Sequence, residues 1–196
     1  MQVKKERRSN VDRSLAMRDA LIAAGRALFV EKGYAETSTP EIVAAAHVTR
    51  GALYHHFEDK AALFRAVIVA ESERVAEHIN SATQDCTSAA QALDTGTDAY
   101  LDAMIVPGRT RLLLIDGPAV LGRETMDAID AETAGGTIVV GLSAALGREP
   151  DERMQAQGRL LSASFERAAL DVAAGGNGAL YRSELKRMLA EVCRTA

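Results

Sequence analysis

Apolar residues return along this chain at steps of three and four, the spacing of one helix face, and strict alternation is scarce. From Ser14 onward Leu21, Ala24, Leu28 and Phe29 form one stripe, and Gly33 stands where a helix end favours a left-handed residue. Thr37-Ser38-Thr39-Pro40-Glu41 is a helix-start signal with two readings. Ser38 with Glu41 fits a capping box, and Thr39 ahead of Pro40 fits an N-cap followed by proline. Either opens a short helix over 40–46 that turns Ile42, Val43 and Ala46 inward. Ala46-His47-Val48 then breaks the chain, Thr49 caps a third helix to about Phe57, and Glu58-Asp59 starts a long amphipathic fourth with Leu63, Phe64, Val67 and Ile68.

Beyond residue 80 the pattern predicts a helix over 89–105, a segment from Pro107 to Asp116-Gly117-Pro118, and one helix over 124–146. Periodicity alone allows Leu112-Leu113-Leu114-Ile115 to be a buried strand, but no partner strand is evident, and the segment is read as helical. Asp116 before Gly-Pro reads as a turn former. The last two helices, 151–174 and 178–194, carry the clearest seams. Met154, Gly158, Leu161, Phe165, Ala168 and Val172 mark the first, and Tyr181, Leu185, Met188 and Val192 the second. Such seams suit either burial within one chain or a subunit interface. Gly158 and Ala168 permit close helix approach, which favours the interface of a homodimer.

Composition narrows the class. The 196 residues are 47% hydrophobic with no Trp and 4 Pro, as expected of an all-α protein of two domains. The net charge of −4 is unevenly spread: residues 1–65 hold 11 Lys/Arg against 8 Asp/Glu, and the remainder 12 against 19. That polarity points the N-terminal part at phosphates. Residues 1–13, with Lys4, Lys5, Arg7, Arg8 and Arg13, are either a disordered solubilising tail or an arm that tracks DNA. Cys86 and Cys193 lack metal or redox spacing and are expected to be reduced thiols. With no signal-peptide core and no apolar run near the ~20 residues of a membrane span, the expected location is cytoplasmic.

Residues 38–60, STPEIVAAAHVTRGALYHHFEDK, hold two short helices around a tight break, the second with a polar, aromatic and histidine-bearing face. This is the layout of a helix-turn-helix, whose second helix enters the DNA major groove. The spaced positions Leu21-Ile22, Ala24, Leu28-Phe29, Gly33-Tyr34, Thr37-Ser38, Ile42, Ala45, Val48-Thr49-Arg50-Gly51, Leu53-Tyr54, His56-Phe57, Lys60 and Leu63 resemble the TetR family of transcriptional regulators. The resemblance covers about a third of the chain, and LLIDGPAVLG at 113–122 is similar to a segment of some members. It implies a DNA-binding head over 14–60 and a helical ligand-binding and dimerisation body over 61–196. It also implies two-fold dimers on near-palindromic operators, and repression relieved by a small molecule. Where many members have glycine in the turn, this chain has His47.

In that frame Thr49 caps the recognition helix, Arg50 reads a guanine or touches a phosphate, and Gly51 allows close approach to DNA or merely tight packing. Tyr54 and His55 resemble the family's backbone-contacting pair. Thr37, Ser38, Thr39 and Lys60 are expected at phosphates, while Leu53 and Phe57 pack inward. Tyr100, Met104, Leu114, Met126 and Phe165 are candidates for an apolar ligand pocket. Neither ExxH nor HExxH occurs, Ser143 lacks the nucleophile-elbow glycines, and the adjacent His55 and His56 point about 100° apart. No metal, cofactor or enzymatic activity is therefore expected. The competing readings of the same fold are a transcriptional activator and an architectural DNA binder without a ligand.

Overall fold

Gly33 and Ser38 set the first break in the chain. The computed structural model describes residues 10–195, and no strand occurs among them. Contacts divide the chain into two compact units, residues 1–67 and 68–196.

In the first unit α1 (Asn10–Glu36) begins four residues ahead of the expected Ser14, with Asp12 favourably placed in its first turn. Arg13 thus lies on a helix and not in the basic arm; Lys4, Lys5, Arg7 and Arg8 fall outside the described residues. Gly33 adopts φ 82°, and the chain kinks there. The capping box decides the next start: Ser38 is the N-cap of α2 (Thr39–Ala45), accepting from the Glu41 N–H at 3.4 Å while its own N–H donates to the Glu41 carboxylate at 2.9 Å. Ile42 is fully buried, but Val43 and Ala46 are only partly so. His47 takes φ 54°, the sole positive φ of a non-glycine among the described residues. Thr49 then caps α3 (Arg50–His56), its hydroxyl accepting from the Ala52 N–H at 3.2 Å. Leu21, Phe29, Ile42, Leu53, Leu63 and Phe64 fill the core, with the Phe29 and Phe64 rings edge to face at 5.0 Å.

The left-handed turn carries a testable cost, since a residue with a Cβ loses ~1–2 kcal/mol in that conformation. His47→Gly should stabilise this unit by about 1 kcal/mol, because the glycine's extra freedom when unfolded offsets part of the relief. Operator affinity should be unchanged. A thermal melt showing an equal or lower midpoint would mean that the unfolded-chain term outweighs the strain.

The long helix α4 (Lys60–Thr83) starts where the Asp59 carboxylate accepts from the Ala62 N–H at 2.7 Å. In the second unit α5 (Ala89–Met104) is capped by Ser88. Next come α6 (Arg109–Arg111), a π-helical turn (Leu112–Asp116) and α7 (Gly117–Leu121). The 112–115 run is thus helical, but Asp116 does not form the expected turn: it stays right-handed at φ −70°, ψ −38°. The Gly117 N–H bonds five residues back to the Leu112 carbonyl, and this wide turn admits Pro118, which has no N–H, at the start of α7.

The single helix expected over 124–146 is two: α8 (Arg123–Glu132) and α9 (Ala134–Leu146), bent by 47° at Thr133 (φ −128°, ψ −114°). Asp130 causes the break. Its carboxylate accepts from the Gly135 N–H at 3.1 Å, capping α9, and from the Ser162 hydroxyl at 2.6 Å. A Cβ on Gly135 would lie 2.1 Å from Asp130 Oδ2, so the cap needs glycine there.

Finally α10 (Glu152–Ala173), capped by Asp151, and α11 (Gly178–Thr195) pack on α5 and α9. Burial within the chain divides the residues of the expected dimer seam. Met154, Gly158, Leu161, Phe165, Ala168 and Leu185 are buried within one chain and have no surface left to offer a partner. Gly158 serves close approach inside the chain, since a Cβ there would lie 2.5 Å from Val139 Cγ2. Val172, Tyr181 and Val192 are partly covered, and Met188 is exposed. No single helix among the described residues is long and apolar enough to cross a membrane.

Candidate functional site

The helix α3 has two faces of opposite character. Leu53 and Phe57, one turn apart, are 0% and 5% exposed and anchor it in the core. Arg50, Gly51, Tyr54 and His55 are exposed on the other side. The Arg50 guanidinium lies 5.5 Å from the centre of the Tyr54 ring. Hydrogen bonds from Thr39 and then Arg50 hold the Tyr54 phenol below its ordinary pKa. Thr39 at the start of α2 and Arg50 and Tyr54 on α3 therefore form one cluster. The space beside Gly51 is open: an added Cβ would meet only the Thr49 hydroxyl, at 3.9 Å. Tight packing is thus not what glycine serves there.

Three of the residues expected at phosphates are engaged within the protein. Thr37 is 1% exposed, and its hydroxyl donates to the carbonyls of Gly33 at 2.7 Å and Leu28 at 3.2 Å, ending α1. Its side chain cannot also reach DNA, which corrects that expectation. Ser38 is exposed, but both its N–H and its hydroxyl serve Glu41. Hydrogen bonds from Lys32 and then Ser38 hold the Glu41 carboxyl down to about 2, so it stays ionised at neutral pH. Lys60 is half-buried, donating to the carbonyls of Tyr34 and Thr37 at 2.9 Å each, with its ammonium 4.2 Å from the Tyr34 ring centre. Only its third N–H remains for a phosphate. The rings of His55 and His56 lie 5.2 Å apart, and no group of three potential metal ligands occurs among the described residues.

The second unit contains two adjoining cavities of about 130 and 770 Å³. The five pocket candidates all line them: Tyr100, Met104, Leu114 and Met126 the smaller, Tyr100 and Phe165 the larger. Phe165, expected both in the pocket and in the dimer seam, is 4% exposed and lines the larger cavity. The Tyr100 and Phe165 rings meet edge to face at 5.3 Å. Periodicity missed the polar members, among them Arg123, Asp130, Ser162 and Glu166. Burial above all pushes the Asp130 carboxyl up, against the opposing hydrogen bonds of Ser162 and Gly135. Burial and then the Asp130 charge push Glu166 up as well. The Gly135-Gly136 pair after Asp130 was the available sign of a capped break.

This division of labour agrees with comparisons to known proteins. Residues 21–67 match bacterial regulatory proteins of the tetR family, and residues 90–195 match the tetracyclin repressor-like C-terminal domain. The chain is 32% identical over 119 residues to the transposon Tn10 TetC protein of Escherichia coli, an alignment covering 61% of this chain and 60% of that protein. It is 43% identical over 51 residues to the transcriptional repressor BepR of Brucella suis, covering 26% and 24%. The chain thus spans less than two thirds of the length of either relative. A TetR-family transcriptional regulator from Pectobacterium atrosepticum superposes with a TM-score of 0.67 at 29% identity, covering 94% of this chain and 95% of that one. The family is one of DNA-binding regulators and not of enzymes. With its C-terminal match alone spanning more than half of its residues, this chain belongs to the TetR family of transcriptional regulators.

Proposed function

We propose that this protein is a cytoplasmic, sequence-specific DNA-binding repressor that acts as a homodimer on a near-palindromic operator and is released by a small molecule. The observation that carries the DNA reading is the cluster of half-buried Thr39 on α2 with exposed Arg50 and Tyr54 on α3, beside the open surface at Gly51, with α3 anchored by Leu53 and Phe57. A repressor among its relatives supports the sign of the regulation.

Phosphate contacts position such a head and base-edge contacts specify the sequence. Thr39, Tyr54 and His55 are suited to the first task. Arg50 is suited to the second, leaving the Tyr54 ring, where an exposed cation–π contact is worth only ~0.5–1 kcal/mol. Gly51 lets the helix approach closely. Dimerisation would set two recognition helices ~34–36 Å apart, one turn of B-DNA. With the inward seam of α10 and α11 occupied, the faces left for a second copy are those with Leu160, Leu180 and Met188, which are 71%, 56% and 37% exposed.

A bound effector changes DNA affinity only through a preference for one conformation, and a tenfold loss needs about 1.4 kcal/mol of it. Ser72 and Val75, which line the smaller cavity, stand on the same helix as Lys60. Binding-site selection from random duplex DNA should return a near-palindrome. Arg50→Ala should then relax preference at one base pair per half-site, costing ~1–3 kcal/mol. If that variant instead lost affinity equally for every sequence, Arg50 would be a phosphate contact and the base-reading role would fall to its neighbours.

A further inference from the structure

Charge in the effector cavity is concentrated where its two chambers meet. Tyr100, Arg123, Asp127, Asp130 and Glu166 line both, whereas the smaller chamber is otherwise mainly apolar, with Met104, Leu113 and Met126, and the larger has Ile79, Leu93 and Val139. Three carboxylates thus face one guanidinium. That guanidinium is shared, since Arg123 Nε donates to Asp127 at 2.8 Å, and its side chain is 66% exposed. Asp130 is satisfied by Gly135 and Ser162. Glu166 is not: its carboxylate accepts no hydrogen bond among the described residues, and the nearest Arg123 nitrogen is 3.9 Å away, beyond hydrogen-bond reach. The Tyr100 hydroxyl likewise has no hydrogen-bond partner there, while its ring and that of Phe165 present an aromatic wall. Burial raises Glu166, Asp130 and Tyr100 alike, and for Glu166 and Tyr100 the neighbouring carboxylates add to the rise. Arg123 opposes the rise at Glu166 and Asp130, but as the one cation set among three carboxylates it offsets only part of their negative potential.

We propose that the effector is an organic cation with an apolar body, its nitrogen seated at Glu166 beside Tyr100 and its body lying against Phe165 and the aliphatic walls. The inference rests on the reading of this cavity as the effector site. A part-buried carboxylate that accepts no hydrogen bond, with its nearest cationic nitrogen 3.9 Å away, gains a closer partner from an arriving cation. Aromatic faces also attract cations. An anion seated where the chambers meet would face three carboxylates and the one guanidinium they share; Arg159 and Glu132, one charge of each sign, line the larger chamber only. A neutral molecule of equal shape would leave Glu166 as it stands.

Three probes sharing one body separate these cases: naphthylmethyltrimethylammonium, naphthylmethanol and naphthylacetate, titrated calorimetrically into the full chain. The cation should bind at least tenfold more tightly than the alcohol, and the acetate most weakly. Glu166→Gln should weaken the cation about tenfold or more and leave the alcohol unchanged. Arg123→Ala, at an exposed position that leaves the core intact, should tighten the cation by removing a like charge. Preference for the alcohol or acetate, or a cation indifferent to both substitutions, overturns the charge class while leaving the cavity as an effector site. If none of the three binds, the effector reading of the cavity falls together with the proposal.

Discussion

Arg109→Ala is expected to cost about 3–5 kcal/mol of stability, the usual penalty for breaking a buried ion pair by removing one partner. Arg109 Nε donates to Glu71 at 3.1 Å and its Nη1 to the Ala103 carbonyl at 2.8 Å, with side chains 8% and 0% exposed. One guanidinium thus neutralises a carboxylate on α4 and satisfies a carbonyl near the end of α5. Alanine would leave the carboxylate buried beside Arg74, a partner that is itself about half-exposed. Attraction between the pair does not make it superior to apolar packing, because both charges lose their hydration on folding. Combining Glu71→Leu with Arg109→Met should therefore recover most of the loss. Urea unfolding of the single and double variants measures both quantities. A single variant within about 1 kcal/mol of the parent would show that water replaces the lost partner. Ser72 and Met104, each adjacent in sequence to an atom donor or acceptor of this network, line the smaller cavity, so effector affinity should fall in the single variant too.

Neither Glu71 nor Arg109 stands out in the sequence, since 38 positions separate them and each resembles an ordinary surface charge. The head was legible for the opposite reason. Its start and stop signals act over three or four residues: Ser38 with Glu41, Thr49 with Ala52, and the left-handed His47 between them. The break at Thr133 also has a local part, the Asp130 cap, but Asp130 is held by Ser162, 32 residues on, and the apolar period runs through the bend undisturbed. Periodicity likewise reported that Met154, Leu161 and Phe165 are buried without saying by what. A helical seam looks the same whether it meets α9 of its own chain or a second copy. The capping and burial patterns were therefore readable, and the pairing of distant polar groups was not.

Lys60 shows how one residue escapes a reading by type alone, and it carries the second large expectation. A lysine at the start of α4 looks like a phosphate ligand, yet two of its donors end α1 at the Tyr34 and Thr37 carbonyls. Hydrogen bonds from a charged donor are worth ~1.5–3 kcal/mol each, so Lys60→Met should destabilise the first unit by at least about 2 kcal/mol. If the third N–H also reaches a phosphate, the same variant should lose affinity for all duplexes alike, with a salt dependence shallower by about one charge. Lys60→Arg separates the two roles. Its planar fork keeps the charge but cannot reproduce a compact ammonium aimed at two carbonyls, so it should lose stability and keep the salt slope. Binding must be measured well below the melting temperature of each variant, where the folded fraction is close to complete. An unchanged slope in Lys60→Met under those conditions would make Lys60 a strut of the head and leave phosphate contact to Thr39, Tyr54 and His55.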